Sequence, residues 1–412
     1  MTTTVPGQNA LLNFEGTAGQ RVSLLMTNSS FGGNCVYARI LDPTNTSVAF
    51  QCMTTSPNFL EPVTLPLTGT YTLVVDPTSV ATGSATFTLY DVPPDITGPI
   101  TPGGSAVTVT FTTPGQNAQL TFANTAGQRV AILINNSTLG GNCSYSNIVL
   151  QRPDGSSTST SSCVGSFLDP TTIAMAGTST IRVNPYGSYT GSVTLTLYDV
   201  PPDLTDPVTP GTSTTTTITT PGQNALLPFS ATANQRASLR VNTSTITSGY
   251  VWLLQPNGTA VGPSTAISPS FKDAVTLPVT GTYSVFVNPY GAATGQVTLT
   301  LYVFDDVTGS VTIGGPQVHV TITTPGQRAL LTFTGAANQQ ITLHARNNTI
   351  YNVGLILLKP DGNQLGGVGS NAVNFDGTPT TLPVAGTYTL IVDPNDPVPV
   401  NTGSIDVFLT SP

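Results

Sequence analysis

Apolar and polar residues alternate with a period of two along most of the chain. From Gln128 the sequence runs Arg129, Val130, Ala131, Ile132, Leu133, Ile134, Asn135. This order turns Val130, Ile132 and Ile134 inward and Arg129, Ala131, Leu133 and Asn135 outward. The run from Val193 to Tyr198 alternates in the same way. One apolar face at period two is the pattern of a half-buried antiparallel strand. Turn sequences such as Pro-Gly, Pro-Asp-Gly and Asn-Pro-Tyr-Gly interrupt the runs roughly every 8–14 residues. No window of a dozen residues escapes Gly, Pro or runs of Thr, so long helices are excluded. No apolar stretch approaches the roughly 20 residues of a membrane helix.

The strands recur in a larger period. Pro-Gly-Gln stands at Pro6, Pro114, Pro221 and Pro325, spacings of 108, 107 and 104 residues. Each occurrence is followed by an apolar strand and a turn: Ala18-Gly19-Gln20, Ala126-Gly127-Gln128, Ala233-Asn234-Gln235 and Ala337-Asn338-Gln339. Gly69-Thr70-Tyr71 returns as Gly281-Thr282-Tyr283 and Gly386-Thr387-Tyr388, while the second copy reads Gly177-Thr178-Ser179. The chain is therefore expected to be all-β, with four tandem antiparallel β-sandwich (jelly-roll-like) domains of seven to eight strands each. The expected bounds are 1–98, 99–206, 207–309 and 310–412. A copy of this size is long enough for its own core.

The joints read Asp91-Val-Pro-Pro-Asp95, Asp199-Val-Pro-Pro-Asp203 and Val303-Phe-Asp305-Asp306-Val307. Proline pairs favour extended, semi-rigid backbone. The first two joints are accordingly expected to be stiffer than the third, which lacks them. Before its Pro-Gly-Gln turn the first copy has only Thr2 to Val5 where the others carry a full strand, such as Val107 to Thr113. Two expectations follow: the chain is cut from a longer array, or another chain completes a short sheet edge.

Composition narrows the function. The 412 residues include 72 threonines, 40 glycines and 34 prolines, and only 7% are charged. A net charge of −8 with two lysines, Lys272 and Lys359, excludes a nucleic-acid partner, which needs clustered cations. The start of the chain shows no basic and apolar leader pattern. The four cysteines fall as Cys35 and Cys52 in copy one and Cys143 and Cys163 in copy two. Within-copy pairing is favoured among the three connectivities, because the pairs occupy equivalent places after Gly-Gly-Asn. Each bridge would contribute roughly 3 kcal/mol and point to an oxidising, extracellular or cell-surface setting.

Catalytic chemistry finds no foothold. The two histidines, His319 and His344, sit at outward strand positions, and no nucleophile elbow, metalloprotease, P-loop or dinucleotide motif occurs. No enzyme activity and no obligate cofactor are expected. Calcium is the one candidate ion, with Asp91, Asp95, Asp199, Asp203, Asp305 and Asp306 placing carboxylates at every joint. The aromatic candidates for a ligand are Trp252, Tyr186 and Tyr290, whose rings could stack on sugar faces.

Taken in order, Pro-Gly-Gln-Asn-Ala, Ala-Gly-Gln-Arg-Val, Pro-Asp-Gly, Leu-Pro-x-x-Gly-Thr-Tyr and Gly-Ser-Val-Thr-Leu-Thr-Leu-Tyr-Asp-Val-Pro-Pro-Asp resemble the bacterial pre-peptidase C-terminal domain family. The tandem versions in large secreted or surface proteins, including those with RHS/YD repeats, are the most similar. The resemblance implies eight-strand β-sandwiches that space, support or bind, some of them with calcium or matrix polymers. The expected function is a non-enzymatic extracellular stalk, scaffold or fibre segment, reaching roughly 140 Å if four copies lie in line. Two alternatives stand beside it: a glycan- or matrix-binding adhesive module, and a fibre subunit that self-assembles through its short first strand. The expected partners are other copies of the chain, adjoining domains of a longer protein, or a glycan or matrix polymer.

Overall fold

A computed structural model describes residues 1–32, 35–54, 56–139, 146–161, 165–395 and 401–411. Among them there are strands and turns but no helix, so no helix is long and apolar enough to cross a membrane. The chain divides into two compact units, 1–200 and 201–412.

In the first unit, one four-stranded sheet runs in the order Ala10–Gly16, Gly69–Pro77, Val36–Leu41, Ser47–Met53. It faces a three-stranded sheet of Asn58–Thr64, Arg21–Thr27 and Thr86–Asp91. Their inward residues form one apolar cluster, from Val22 to Ala85. A second cluster, from Ile100 to Leu197, lies between two further sheets. One orders Ile96–Pro99, Ala118–Asn124, Gly177–Pro185, Ser146–Gln151 and Ser157–Ser161. The other orders Val107–Phe111, Gly191–Asp199, Gln128–Ser137 and Phe167–Ile173. The second unit likewise holds two clusters, from Val208 to Leu301 and from Val311 to Leu409, each between two sheets. A sheet with one apolar face must cover it, and a second sheet does so here.

The period-two expectation for Gln128–Ser137 holds for Val130, Ile132 and Ile134, which are fully buried. It fails at Ala131, which is buried as well, as are Ser23 and Ser238 at the equivalent outward positions. Alternation records the two faces of a strand but not what later covers the outer one.

Threonine has a visible role on the outer faces. Cross-strand hydroxyl pairs join Thr108 to Thr194 at 2.8 Å, Thr215 to Thr298 at 2.9 Å and Ser213 to Thr300 at 2.9 Å. Such pairs stabilise facing strands in a chain with few charges to pair.

The residues between copies do not run as free linkers. Ile96–Pro99 pairs in parallel with Ala118–Asn124, and Val307–Ser310 pairs in parallel with Ala329–Gly335. These segments are edge strands of the sheets that follow them, and the expected bounds at 98/99 and 309/310 fall inside them. They also give the sheets around the second cluster nine strands rather than seven or eight. The proline-free third joint makes the same pairing as the proline-bearing first. Equivalent backbone hydrogen bonds hold both: Ile96 N–H to Asn117 O at 2.9 Å and Ile100 N–H to Thr121 O at 3.0 Å in the first, and Val307 N–H to Arg328 O at 2.8 Å and Val311 N–H to Thr332 O at 3.0 Å in the third.

The Gly-Thr-Tyr motif closes a corner. The Tyr71 hydroxyl donates to Leu67 O at 2.7 Å and accepts from Leu67 N–H at 3.0 Å. Tyr283 and Tyr388 make the same pair of bonds with Val279 and Val384. The ring needs a small neighbour: a side chain at Gly335 would meet Leu382 at 2.3 Å and Tyr388 at 3.3 Å. In the second copy both members change together. Ser179 is small, Asn124 stands at the place of Gly335, and Ser179 Oγ donates to Asn124 Oδ1 at 2.9 Å. Asn124 Nδ2 then reaches Met175 O at 2.7 Å.

Two outcomes test this exchange. Tyr388→Phe leaves the Val384 amide and carbonyl without their partner and should weaken its copy by about 1–2 kcal/mol, seen as faster amide exchange across Gly386–Pro394. Gly335→Asn alone should be more damaging. Combined with Tyr388→Ser it should cost less than the sum of the two single changes, and simple additivity would show that the two positions are not coupled.

Candidate functional site

The recurring Pro-Gly-Gln motif is a docking turn. Its glutamine side chain holds the incoming segment: Gln116 Nε2 donates to Pro94 O at 3.0 Å, Gln223 Nε2 to Pro202 O at 2.8 Å, and Gln327 Nε2 to Asp305 O at 2.9 Å. The proline carbonyl faces the preceding copy. Ser23 Oγ donates to Pro114 O at 3.0 Å, and Ser238 Oγ donates to Pro325 O at 2.7 Å. This explains why Ser23 and Ser238 are buried at outward positions.

The glycine between them sits with φ +90° at Gly115 and φ +83° at Gly326, a region open chiefly to glycine. A side chain at Gly115 would come within 2.5 Å of Pro62. At Gly7 of the first copy, with φ +79°, an added Cβ would meet nothing within 4 Å.

The arginine that follows Ala-Gly-Gln or Ala-Asn-Gln completes the joint. Arg236 is 9% exposed, and its guanidinium donates to Asp306 at 2.9 Å, Gly326 O at 3.0 Å and Ala274 O at 3.1 Å. Arg328 reaches the other Asp306 oxygen at 2.9 Å. In the first unit Arg21 pairs with Asp95 at 2.7 Å, and Gln119 Nε2 donates to Asp95 at 3.1 Å. Burial alone would raise both carboxyls, but the arginines together with the Gln119 side chain and backbone N–H groups outweigh it and hold Asp95 and Asp306 below the ordinary carboxylate range. The fourth copy has Gln340 where the others have arginine.

Of the six joint acids considered for calcium, Asp95 and Asp306 are held by the arginines, and the carboxylates of Asp91, Asp199 and Asp203 meet separate donors. Asp91 accepts from Gln20 Nε2 at 3.1 Å, and Asp199 accepts from Gln128 Nε2 at 2.9 Å. Asp203 accepts from the Asn224 N–H at 3.2 Å, and Asp305 uses its backbone carbonyl for Gln327. Among the described residues, no three His, Cys, Asp or Glu side chains gather as metal ligands would.

Two of the three candidate aromatics belong to one surface. Trp252 lies between Tyr250, at 5.6 Å between ring centres, and Phe286, at 5.8 Å. Tyr250 and Tyr290 line a hollow of about 520 Å³ with Ser248, Gly249 and Ala266. Tyr290 is 75% exposed and Tyr250 49% exposed. Gly249 is needed there, because a side chain would meet Asn288 O at 2.6 Å. Sequence reasoning missed Tyr250. Its signal was the spacing Tyr250, Val251, Trp252, which puts both rings on one outward face. Tyr186 stands apart, in the first unit, and is 66% exposed.

Cys35 and Cys52 form a disulfide with Cα atoms 5.3 Å apart. Cys143 and Cys163 lie outside the described residues. His319 is exposed and bonded to Asp406 at 2.6 Å. His344 is more covered than its outward position suggested: it stacks on Phe408 at 4.6 Å and bonds Asp376 at 2.6 Å.

No family model matches the chain, and no curated protein matches it. Solved structures do align. The pre-peptidase C-terminal domain of a collagenase from Bacillus anthracis, a member of the family the motifs resemble, aligns at 13% identity with TM-score 0.22, over 25% of this chain and 95% of that one. The full extracellular region of zebrafish Gpr126/Adgrg6 aligns at 10% identity and TM-score 0.18, over 76% of this chain and 57% of that one. The M60 catalytic domain with two CBM51 domains from Clostridium perfringens ZmpB aligns at 8% identity and TM-score 0.16, over 98% and 55%.

Arg236→Ala should strip the joint of its buried cation and leave Asp306 with Arg328 as its remaining ionic partner. Proteolytic cleavage within residues 304–313 should then accelerate several-fold, while cleavage elsewhere stays at the parent rate. Because the folded Asp306 carboxyl lies below its unfolded value of about 3.9, its contribution is fully present above that pH and is lost as pH falls through the folded value. Protection of this segment should be flat from pH 7 to about 5 and fail below about 4.

Proposed function

We propose that the chain is a non-enzymatic array of four β-sandwich domains, working outside the cell as a stalk, scaffold or fibre segment. One observation carries the reading: both units use the same joint, in which arginine, serine and the Pro-Gly-Gln turn tie one copy to the next. A protein whose recurring sequence motifs are spent on the contacts between copies is organised around transmitting position or force. The Cys35–Cys52 bridge supports an oxidising compartment. The low charge leaves little repulsion between adjacent copies.

Pulling single molecules from their ends tests this reading. The array should unfold in four steps, each releasing roughly 350 Å of chain for about 100 residues. The first copy's step should be shorter by roughly 60 Å until reductant opens the 17-residue loop between Cys35 and Cys52. One or two large cooperative steps would contradict an array of four independent domains.

A second reading has its own support. Tyr250 and Tyr290 present exposed rings on one face, with the half-buried Trp252 beside Tyr250, which suits a glycan or matrix polymer. Sedimentation with insoluble cellulose or chitin measures it. Binding that disappears in both Trp252→Ala and Tyr290→Ala supports the adhesive reading, and binding unchanged in both removes it.

A further inference from the structure

The joint between copies one and two encloses a groove of about 580 Å³ that the docking contacts do not use. Leu25 and the rings of Phe59, Tyr186 and Tyr189 form an aromatic wall, and Glu61 brings a carboxylate. Gln51 and Asn58 form a polar rim, with Gln51 Nε2 donating to Asn58 Oδ1 and to Phe59 O, both at 3.0 Å.

Glu61 reaches the groove through a defect in the sheet. Leu24 pairs with Leu60 and Val22 pairs with Val63, so Glu61 and Pro62 together stand opposite Ser23. An irregularity of this kind re-aims the side chain it carries, and Pro62 is tolerated because Asn58–Thr64 is an edge strand. From copy two, the turn Asn184-Pro-Tyr-Gly brings Gly187 against this point. With φ +58° Gly187 donates its N–H to the Glu61 carboxylate, and next to it Tyr186 projects its ring. Atoms packed around the carboxyl push the Glu61 pKa up, although part of the residue stays open to solvent. No arginine or lysine is among the described residues that line the groove.

We propose that this groove takes a guanidinium or alkylammonium group, held between the Tyr186 ring and the Glu61 carboxylate. Aromatic faces attract cations, most strongly where water is partly excluded. A bound cation also supplies the counter-charge that the crowded carboxylate lacks. An anionic ligand would meet Glu61 with no cation to offset it, and a neutral sugar would leave its charge unbalanced. The chain's net charge of −8 favours the same sign of partner. The site requires only the joint of copies one and two, so it stands or falls separately from the aromatic face around Trp252. A cationic head of this kind comes either on a peptide side chain or as a free amine.

Saturation-transfer difference NMR on the full chain at low salt tests the proposal. The probes are the capped tripeptide acetyl-Gly-Arg-Gly-amide, free ethylguanidine and tetramethylammonium, with acetyl-Gly-Gln-Gly-amide and cellobiose as neutral comparisons. The cations should give saturable signals that fall as salt is added. Glu61→Gln and Tyr186→Ala should each weaken them about three- to five-fold, while Trp252→Ala leaves them unchanged. A stronger signal from the tripeptide than from the free cations assigns the site to a protein partner, and equal signals assign it to a small cation. Saturable signals from the neutral probes alone, no saturable signal from any cation, or signals that survive both substitutions would each overturn the proposal. Both substituted residues have exposed side chains, so matching thermal unfolding curves for variants and parent confirm that folding is not the cause.

Discussion

A buried guanidinium must have its donors matched, and the joint of the second unit is built around that demand. Arg236 has almost no contact with water, so its charge and N–H groups would be costly if any partner withdrew. The partners are spread over three places: Asp306 in the incoming segment, Gly326 in the docking turn and Ala274 in its own copy. Satisfying one side chain therefore fixes two copies and the segment between them. The first unit repeats the arrangement with Arg21 and Asp95, with more water around the pair.

The other features of the joint follow from this closeness. The docking turn must lie flat against the preceding copy, which excludes a side chain at Gly115 and requires its left-handed backbone. The serine under the turn supplies a donor to a carbonyl that would otherwise be buried unpaired. The incoming segment then has a sheet edge beside it, and it pairs there as a parallel strand. Joints that read as proline-rich spacers are in this way absorbed into the domains they precede.

Much of the fold was legible in the sequence because the strands carry a strong period of two and the copies carry fixed motifs. The joint was less legible for a definite reason. Gln116 and Gln327 act on carbonyls 22 residues earlier, and Arg236 acts on a carboxylate 70 residues later. A motif announces that a residue type recurs, but not which distant group it meets. Arg21 and Arg236 stand where Arg129 reads as an outward strand residue, and each meets the segment that leads into the next copy. The paired change of Ser179 and Asn124 was half visible, since the missing tyrosine stood out while its partner on another strand did not. The aromatic candidates were found singly. Folding brought Trp252 and Tyr290 to one face through Tyr250, and sent Tyr186 to a groove with Glu61, a residue whose position within a sheet irregularity has no sequence signal.

The central claim is that these contacts hold one copy in a fixed relation to the next. The most direct measurement is the distance distribution between spin labels on copies one and two of the full chain, attached through unnatural amino acids at the exposed positions Ser47 and Ala126. The parent protein should give one narrow distribution. Arg21→Ala combined with Gly115→Val should broaden it while each copy stays folded. A distribution already broad in the parent, or equally narrow in the variant, would contradict the account.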